Sequence, residues 1–138
     1  MNPEEFVELA SFLPRAPFGT IEARVRTTAG RTYYGVFNLI CQLLAAYGIK
    51  PGRDHGQIPT LLSTLASETK EDQFLDLGLM LGSLYEARRQ ADYVLSPRPT
   101  WVSKLQSSDY GDGLVSMSVK ACILANGLLK KMPPRAPV

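Results

Sequence analysis

The chain has 138 residues, a length that fits one domain with its own hydrophobic core and needs no disulfide or structural metal. Its composition, 45% hydrophobic and 20% charged, is typical of a folded, water-soluble protein and excludes a disordered one. A net charge of +2 excludes the strong basic field that is typical of proteins binding duplex DNA.

No transmembrane segment or signal peptide is evident in the sequence. The longest apolar run, residues 39–46, is broken by Gln42 and is far shorter than the roughly 20 residues that cross a bilayer. The acidic N-terminus is unlike the positively charged start of a signal peptide. These features predict a cytoplasmic protein without a membrane partner.

The two cysteines, Cys41 and Cys122, lie in separate apolar helical patterns and lack the paired spacing of a zinc or redox motif. We predict two reduced, buried thiols, since disulfides are uncommon in the cytoplasm. The sequence also lacks a metal-ligand cluster, a glycine loop for phosphate and a serine elbow. It therefore predicts neither a metal site nor a cofactor.

Charge is unevenly distributed along the chain. Residues 1–13 carry three Glu and no base, whereas residues 15–53 carry six Lys or Arg against a single Glu22. Residues 54–83 are acidic again. This order is compatible with a local basic surface, and equally with a solvated helix face of mixed charge.

Two helices are predicted in the first third of the chain. Asn2 and Pro3 form a helix start that leads to about Leu13, because a capping side chain is followed by proline and then by acids in the first turn. A long helix of about seven turns is predicted between Pro17 and Gly48. Its apolar residues return every three or four positions: Ile21, Val25, Ala29, Tyr33, Val36, Phe37, Ile40, Leu44 and Tyr47.

Three further helices follow a predicted loop at residues 50–56. A short helix is predicted over residues 57–69, and a longer one from Lys70 to a stop before Pro97. Residues 96–101 are predicted to be non-helical, because their two prolines remove hydrogen-bond donors and restrict the preceding residues. A last helix is predicted around residues 114–128, with a flexible tail over residues 133–138.

The predicted fold is therefore all-α. No segment alternates polar and apolar residues as a half-buried strand would. We expect one domain over residues 1–138, a bundle of about five helices in which the two long helices run antiparallel.

Arginine and tyrosine residues within the two long helices are the candidate binding residues. Arg31 and Tyr34 lie on one flank of the second helix, and the fourth helix pairs Arg88 with Asp92 and Arg89 with Tyr93 at a spacing of four. Arginine can hold phosphate in a forked arrangement, and tyrosine can stack on a base. The alternative is structural: an ordinary intrahelical salt bridge, with tyrosines that only pack.

His55 is the only histidine of the chain and lies in the predicted loop. Because the ordinary pKa of imidazole is near neutrality, His55 is a candidate general acid or base. A histidine in a loop can equally be a surface or helix-capping residue.

The order of three segments resembles the HEPN superfamily (higher eukaryote and prokaryote nucleotide-binding domains), and the resemblance covers residues 20–131. The segments are Arg31-Thr-Tyr-Tyr34-Gly-Val-Phe37, a Gly48 loop with His55-Gly56, and Leu84-x3-Arg88-x3-Asp92-Tyr93. The resemblance implies a helical bundle, often a homodimer, whose polar motif residues face a cleft between protomers. Active members are metal-independent endoribonucleases. They are often toxins whose antitoxin is a small nucleotidyltransferase.

The signature of active HEPN proteins is an arginine followed, after four to six residues, by histidine. Here the corresponding positions hold Tyr93, Val94 and Leu95 when counted from Arg88. Tyrosine, with an ordinary pKa near 10, is a poor general base at pH 7. Cleavage would then require His55 to reach the cleft from another element.

Two functional hypotheses follow, beside that of an unrelated helical scaffold. The first is a toxin-type or RNA-processing protein that contacts RNA or nucleotide phosphate through Arg31, Tyr34, Arg89 and Asp92. Arg88, Tyr93 and His55 are its candidate catalytic residues. The second is a catalytically inactive HEPN-like module that serves as an accessory or partner-binding subunit. The missing histidine favours the second hypothesis, and the arginine and tyrosine pattern locates the site of the first.

Overall fold

The computed structural model describes residues 2–51, 55–93 and 99–131, with the backbone alone for Tyr93. Regular structure in this part of the chain is helical, so the predicted all-α bundle is confirmed. The described residues form six helices, close to the expected number of about five: α1 (Pro3–Ala10), α2 (Ile21–Ala46), α3 (Ile58–Thr69), α4 (Gln73–Tyr93), α5 (Pro99–Leu105) and α6 (Ser108–Lys130), with a 3-10 turn at His55–Gln57 before α3.

Side-chain caps begin three of these helices. The side-chain oxygens of Asn2, Thr20 and Ser107 accept hydrogen bonds from the first free backbone N–H groups of α1, α2 and α6. α1 ends at Ala10 and not at the predicted Leu13. The hydroxyl of Ser11 donates to the carbonyl of Glu8, and the following amides bond three residues back, which tightens and ends the helix.

The prediction that residues 96–101 are non-helical is wrong from Pro99 onward, because α5 begins at that residue. Proline is well suited to the first position of a helix, where its missing N–H is not needed and its fixed φ is already helical. Residues 94–98, which include the predicted stop before Pro97, lie outside the described part of the chain, as does the predicted flexible tail. Lys70, with a left-handed φ of 59°, ends α3 and separates it from α4.

The long helix α2 is the centre of the bundle. Contacts between α2 and α4 run in opposite orders along the two helices: Arg26 meets Ala91, Tyr34 meets Arg88, and Tyr47 meets Phe74. The two long helices are therefore antiparallel, as predicted. α6 packs on α2 in the same direction as α2, since Gly111 lies beside Val25 and Leu128 beside Tyr47.

The core lies between α2, α3, α4 and α6. Its largest fully buried side chains are Tyr33, Phe74, Ile40, Leu43, Leu44, Ile58, Leu62, Leu77, Leu84, Leu105 and Leu128. Burial of this apolar surface is the main source of stability for such a bundle. Cys122 is buried and Cys41 half-buried, and both are free thiols. Burial raises the pKa of the Cys122 thiol to about 11.

One helix among the described residues, α6, is long and apolar enough to cross a membrane by length and composition, with a mean hydropathy of 1.3 over 18 residues. Of that stretch, 28% is buried inside the bundle. The buried residues of α6 include Leu114, Ala121, Ala125 and Leu128.

Candidate nucleic-acid interface

Arg88 lies in the last turns of α4 and is only 9% exposed. Its guanidinium carbon is 4.7 Å from the ring centroid of Tyr34 and 5.2 Å from that of Tyr33. One Nη atom also donates a hydrogen bond of 2.7 Å to the Tyr34 hydroxyl. The cation is thus held by two aromatic rings of α2 that approach it from the neighbouring helix.

Asp92 is the charged partner of Arg88 one turn further along α4. Its Oδ2 atom lies 3.3 Å from Nε of Arg88, and the carboxylate is partly exposed while the guanidinium is not. The pairing reduces the cost of burying the cation. It also reduces the positive potential that the guanidinium can offer to an anion.

Tyr33 connects Arg88 to His55. Its hydroxyl forms a hydrogen bond with Nδ1 of His55. Its ring contacts the guanidinium of Arg88. The His55 ring also stacks on Phe37, with centroids 4.1 Å apart and planes only 10° from parallel. His55 is therefore fixed at the cleft by contacts from α2, although it belongs to the turn before α3.

Burial raises the pKa of Tyr33 to about 12, against a smaller lowering by the charge of Arg88. The phenol therefore keeps its proton at neutral pH and can donate it to Nδ1 of His55. A neutral His55 then carries its own proton on Nε2, because one ring nitrogen accepts and the other donates. Among the described residues, the structure shows a hydrogen bond at Nδ1 of His55 and none at Nε2.

A cavity of about 260 Å³ opens beside the Tyr33–His55 pair. It lies between the start of α3 and the middle of α4, and its walls are mainly aromatic and aliphatic: Tyr33, His55, Pro59, Leu81, Gly82 and Tyr85. Gly82 leaves this wall open, since a Cβ atom built there would meet no atom within 4 Å.

Two further arginines lie near the end of α4. Arg89 is exposed and pairs loosely with Glu86, at 3.9 Å. Arg26 of α2 is half-buried and donates to the carbonyl oxygen of Ala91, one of the last carbonyls of α4. Since these carbonyls have no partner within their own helix, Arg26 fixes the turn that carries Arg88 and Asp92.

The structure thus brings together four of the residues singled out in the sequence: Tyr34, His55, Arg88 and Asp92. We call this group, with Tyr33 and Arg89, the arginine–tyrosine cleft. Arg31 lies apart from it: the side chain is exposed and its guanidinium sits 5.9 Å from the ring centroid of Phe6 in α1. The side chain of Tyr93 lies outside the described residues.

Sequence reasoning assigned Tyr33 and Phe37 to the apolar stripe of α2 and did not single out Tyr85. The sequence did indicate that Tyr33 and Tyr34 differ in surroundings, because two adjacent tyrosines on a helix cannot both face the same way. No signal pointed to the bond between Tyr33 and His55, which joins residues of different elements.

The arrangement can hold an anion and a flat ring. Arg89 offers an exposed guanidinium with forked hydrogen-bond donors, and Arg88 offers a buried guanidinium. Tyr85 and His55 offer ring surfaces beside the cavity. Among the described residues there is no group of three or more His, Cys, Asp or Glu that could hold a metal ion.

Comparison of the chain with protein-family models, with curated proteins and with solved structures gives no match.

Proposed function

We propose that the chain is a HEPN-like helical protein that contacts RNA or nucleotide phosphate through the arginine–tyrosine cleft, as a component of a toxin–antitoxin-type or RNA-processing system. The observation that carries the proposal is the placement of Arg88. A cation that is nine-tenths buried, and held by two tyrosine rings and a tyrosine hydroxyl, is costly to keep for packing alone.

The two arginines would act differently. Arg89 is exposed, so it can form forked hydrogen bonds to a phosphate that arrives from solvent. Arg88 is already paired with Asp92, so it would contribute a fixed positive charge behind the ligand more than a direct contact. We expect the resulting affinity to be modest and strongly dependent on salt.

Cleavage, if it occurs, would rest on His55. An RNA phosphodiester is cleaved without metal when a base takes the proton of the 2′-hydroxyl, whose oxygen attacks the phosphorus. The bond to the 5′-oxygen breaks, which leaves a 2′,3′-cyclic phosphate and a 5′-hydroxyl that takes up a proton. Tyr33 keeps its proton at neutral pH and cannot be that base. His55 is the group at the cleft whose type suits the role, although its Nδ1 is engaged by Tyr33. We expect cleavage to be slow or undetectable, and unchanged by EDTA.

The test is a binding and cleavage assay with fluorescently labelled single-stranded RNA at low salt, with EDTA present. Arg89→Ala should weaken binding several-fold, and Arg88→Ala should do so too. The matched control is Arg15→Ala, an equally exposed, ion-paired arginine between α1 and α2. Equal binding by the native chain, Arg89→Ala and Arg88→Ala would exclude the cleft as the RNA site. Fast cleavage that His55→Ala abolishes would establish the histidine as the base.

The second candidate function is that of an inactive HEPN-like accessory module, a homodimer or the partner of a nucleotidyltransferase-type antitoxin. The observation in its favour is exposed apolar surface away from the cleft. Phe12 in the turn after α1, Leu79 of α4 and Ile123 of α6 are each about two-thirds exposed or more, at 71%, 73% and 66%. A contiguous patch of such side chains would mark a surface that binds another protein, whereas single exposed apolar residues are ordinary.

A further inference from the structure

The cavity between α3 and α4 has the shape and lining of a site for one flat ring. At about 260 Å³ it is just below the roughly 300–1,000 Å³ of pockets that enclose a whole drug-sized ligand. A ring system fits this volume, and the described residues of its lining include no Lys or Arg to hold a phosphate. Any phosphate attached to the ring would have to remain outside the cavity.

The lining favours an aromatic occupant. Tyr33, Tyr85 and His55 contribute ring surface, and Pro59 and Leu81 contribute aliphatic surface. Flat heteroaromatic rings gain from stacking on such side chains, and the gain differs little between bases because each base has a π-face. Polar groups of His55 and Tyr85 lie in the same lining and can orient the ring.

The position of the cations fits a ring that carries a phosphate. Gly82, Tyr85 and Arg89 are spaced three and four residues apart on α4, so Arg89 follows the cavity on the same face of the helix. Arg88 lies behind the wall, with its guanidinium 5.2 Å from the ring centroid of Tyr33. A ring in the cavity would thus have an exposed arginine about one helical turn away.

We propose that this cavity is a nucleobase subsite, which takes one unpaired base while Arg89 holds the adjoining phosphate. The inference rests on the proposed function, since it names the part of the ligand that adjoins the phosphate. Because stacking dominates over hydrogen bonding, purines should bind better than pyrimidines, in proportion to their larger ring surface. The base can belong to a free mononucleotide or to a single-stranded RNA.

The test measures binding of adenosine 5′-monophosphate and of ribose 5-phosphate to the native chain by calorimetry at low salt. The two probes carry the same phosphate and differ by the base. We expect the mononucleotide to bind about five- to tenfold more tightly, toward the low end of what stacking of one base contributes. An adenine oligoribonucleotide, measured in parallel, separates the sources: tighter binding than the mononucleotide indicates RNA, and equal binding indicates the free nucleotide.

Gly82→Leu is the decisive variant, because its side chain grows into open space at the cavity wall and leucine favours a helix more than glycine does. It should remove the preference for the mononucleotide and leave ribose 5-phosphate binding unchanged. The matched control is Gly113→Leu, an exposed glycine of α6 whose Cβ also meets no atom within 4 Å. It should keep the preference. Tyr85→Ala removes an aromatic wall instead of filling the cavity, and should also reduce the preference.

The outcomes separate the two proposals. Equal affinity of the native chain for both probes, with binding that Arg89→Ala weakens, would overturn the nucleobase subsite and leave the proposed function intact. Retention of the preference by both Gly82→Leu and Tyr85→Ala would likewise overturn the subsite. Failure of every probe to bind at millimolar concentration would overturn both the subsite and the proposed function.

Discussion

At the scale of single residues, Asp92 opposes the function proposed for its neighbour. Its carboxylate lies 3.3 Å from Nε of Arg88 and would repel an incoming phosphate. Asp92→Asn removes this charge and keeps the side-chain size. We predict that it raises the affinity for single-stranded RNA about two- to fivefold at low salt, as measured by fluorescence anisotropy, because an exposed charge of this kind contributes up to about 1 kcal/mol.

The control is Asp76→Asn, the same substitution at an exposed position four turns earlier in α4. It removes the same net charge from a distant part of the helix. An equal rise in affinity for both variants would mean that net charge alone is responsible, and that Arg88 is not part of the binding site.

Tyr33 gives the stability of the protein a defined dependence on pH. Its pKa is about 12 in the folded chain, against an ordinary value of 10.0, because the phenol is buried. Below pH 10 the phenol keeps its proton in both the folded and the unfolded chain, and its full contribution to the free energy of unfolding is present. Between pH 10 and 12 the unfolded chain loses its proton first, so stability falls as pH rises, by about 2 kcal/mol in total.

Tyr33→Phe should therefore show a smaller fall in the free energy of unfolding over this range. Urea denaturation followed by circular dichroism, at several pH values from 9 to 11.5, measures the fall. The absolute stability of the variant also changes, because the hydrogen bond to His55 is lost, so the slope against pH is the relevant quantity. An unchanged slope would contradict the assignment of the buried proton to Tyr33.

At the scale of elements, α1 is attached to α2 through a close approach at Gly35. A Cβ atom built there would lie 2.9 Å from Cγ2 of Val7 and 3.0 Å from the carbonyl oxygen of Pro3. Gly35→Ala should therefore displace α1 and destabilise the protein by about 1–3 kcal/mol. Amide hydrogen exchange in residues 3–10 should accelerate more than elsewhere.

Gly30→Ala is the matched control in the same helix. Its Cβ would meet no atom within 4 Å, so the substitution should stabilise the protein by about 0.5–1 kcal/mol, through helix propensity and the reduced freedom of the unfolded chain. Opposite signs for the two variants are expected in urea denaturation. Stabilisation by both would show that α1 does not pack closely on Gly35.

The sequence predicts elements better than it predicts the contacts between them. The long helix α2 follows from the spacing of its apolar residues, and Asn2 marks the start of α1 directly. The helix at Pro99 was not predicted, since proline can either stop a helix or occupy its first turn.

The candidate site was predictable only in part, because contacts between elements do not follow from the spacing within one helix. The contact of Arg88 with Asp92 follows from a helical spacing of four, whereas its contact with Tyr34 depends on the register of two helices. The placement of His55 depends on a turn that belongs to neither helix. Local spacing therefore identified the polar residues, and tertiary packing decided which of them meet.

At the scale of the whole molecule, homodimerisation stays a prediction. Its physical reason is the presence of large apolar side chains that face solvent, at Phe12 after α1, Leu79 of α4 and Ile123 of α6. Sedimentation at micromolar concentration should give about twice the chain mass of 15.2 kDa. A monomer across the whole concentration range would restrict any RNA site to residues of one protomer.

An NMR titration of the isotope-labelled protein with a short single-stranded RNA tests most directly whether the arginine–tyrosine cleft binds the phosphate of RNA. We predict that chemical shifts change in the second half of α4, at the His55–Gln57 turn and in the side-chain N–H signals of Arg88 and Arg89. The signals of α1, on the other side of α2, should stay in place. Changes confined to α1 and α6, or no change at millimolar RNA, would contradict the account.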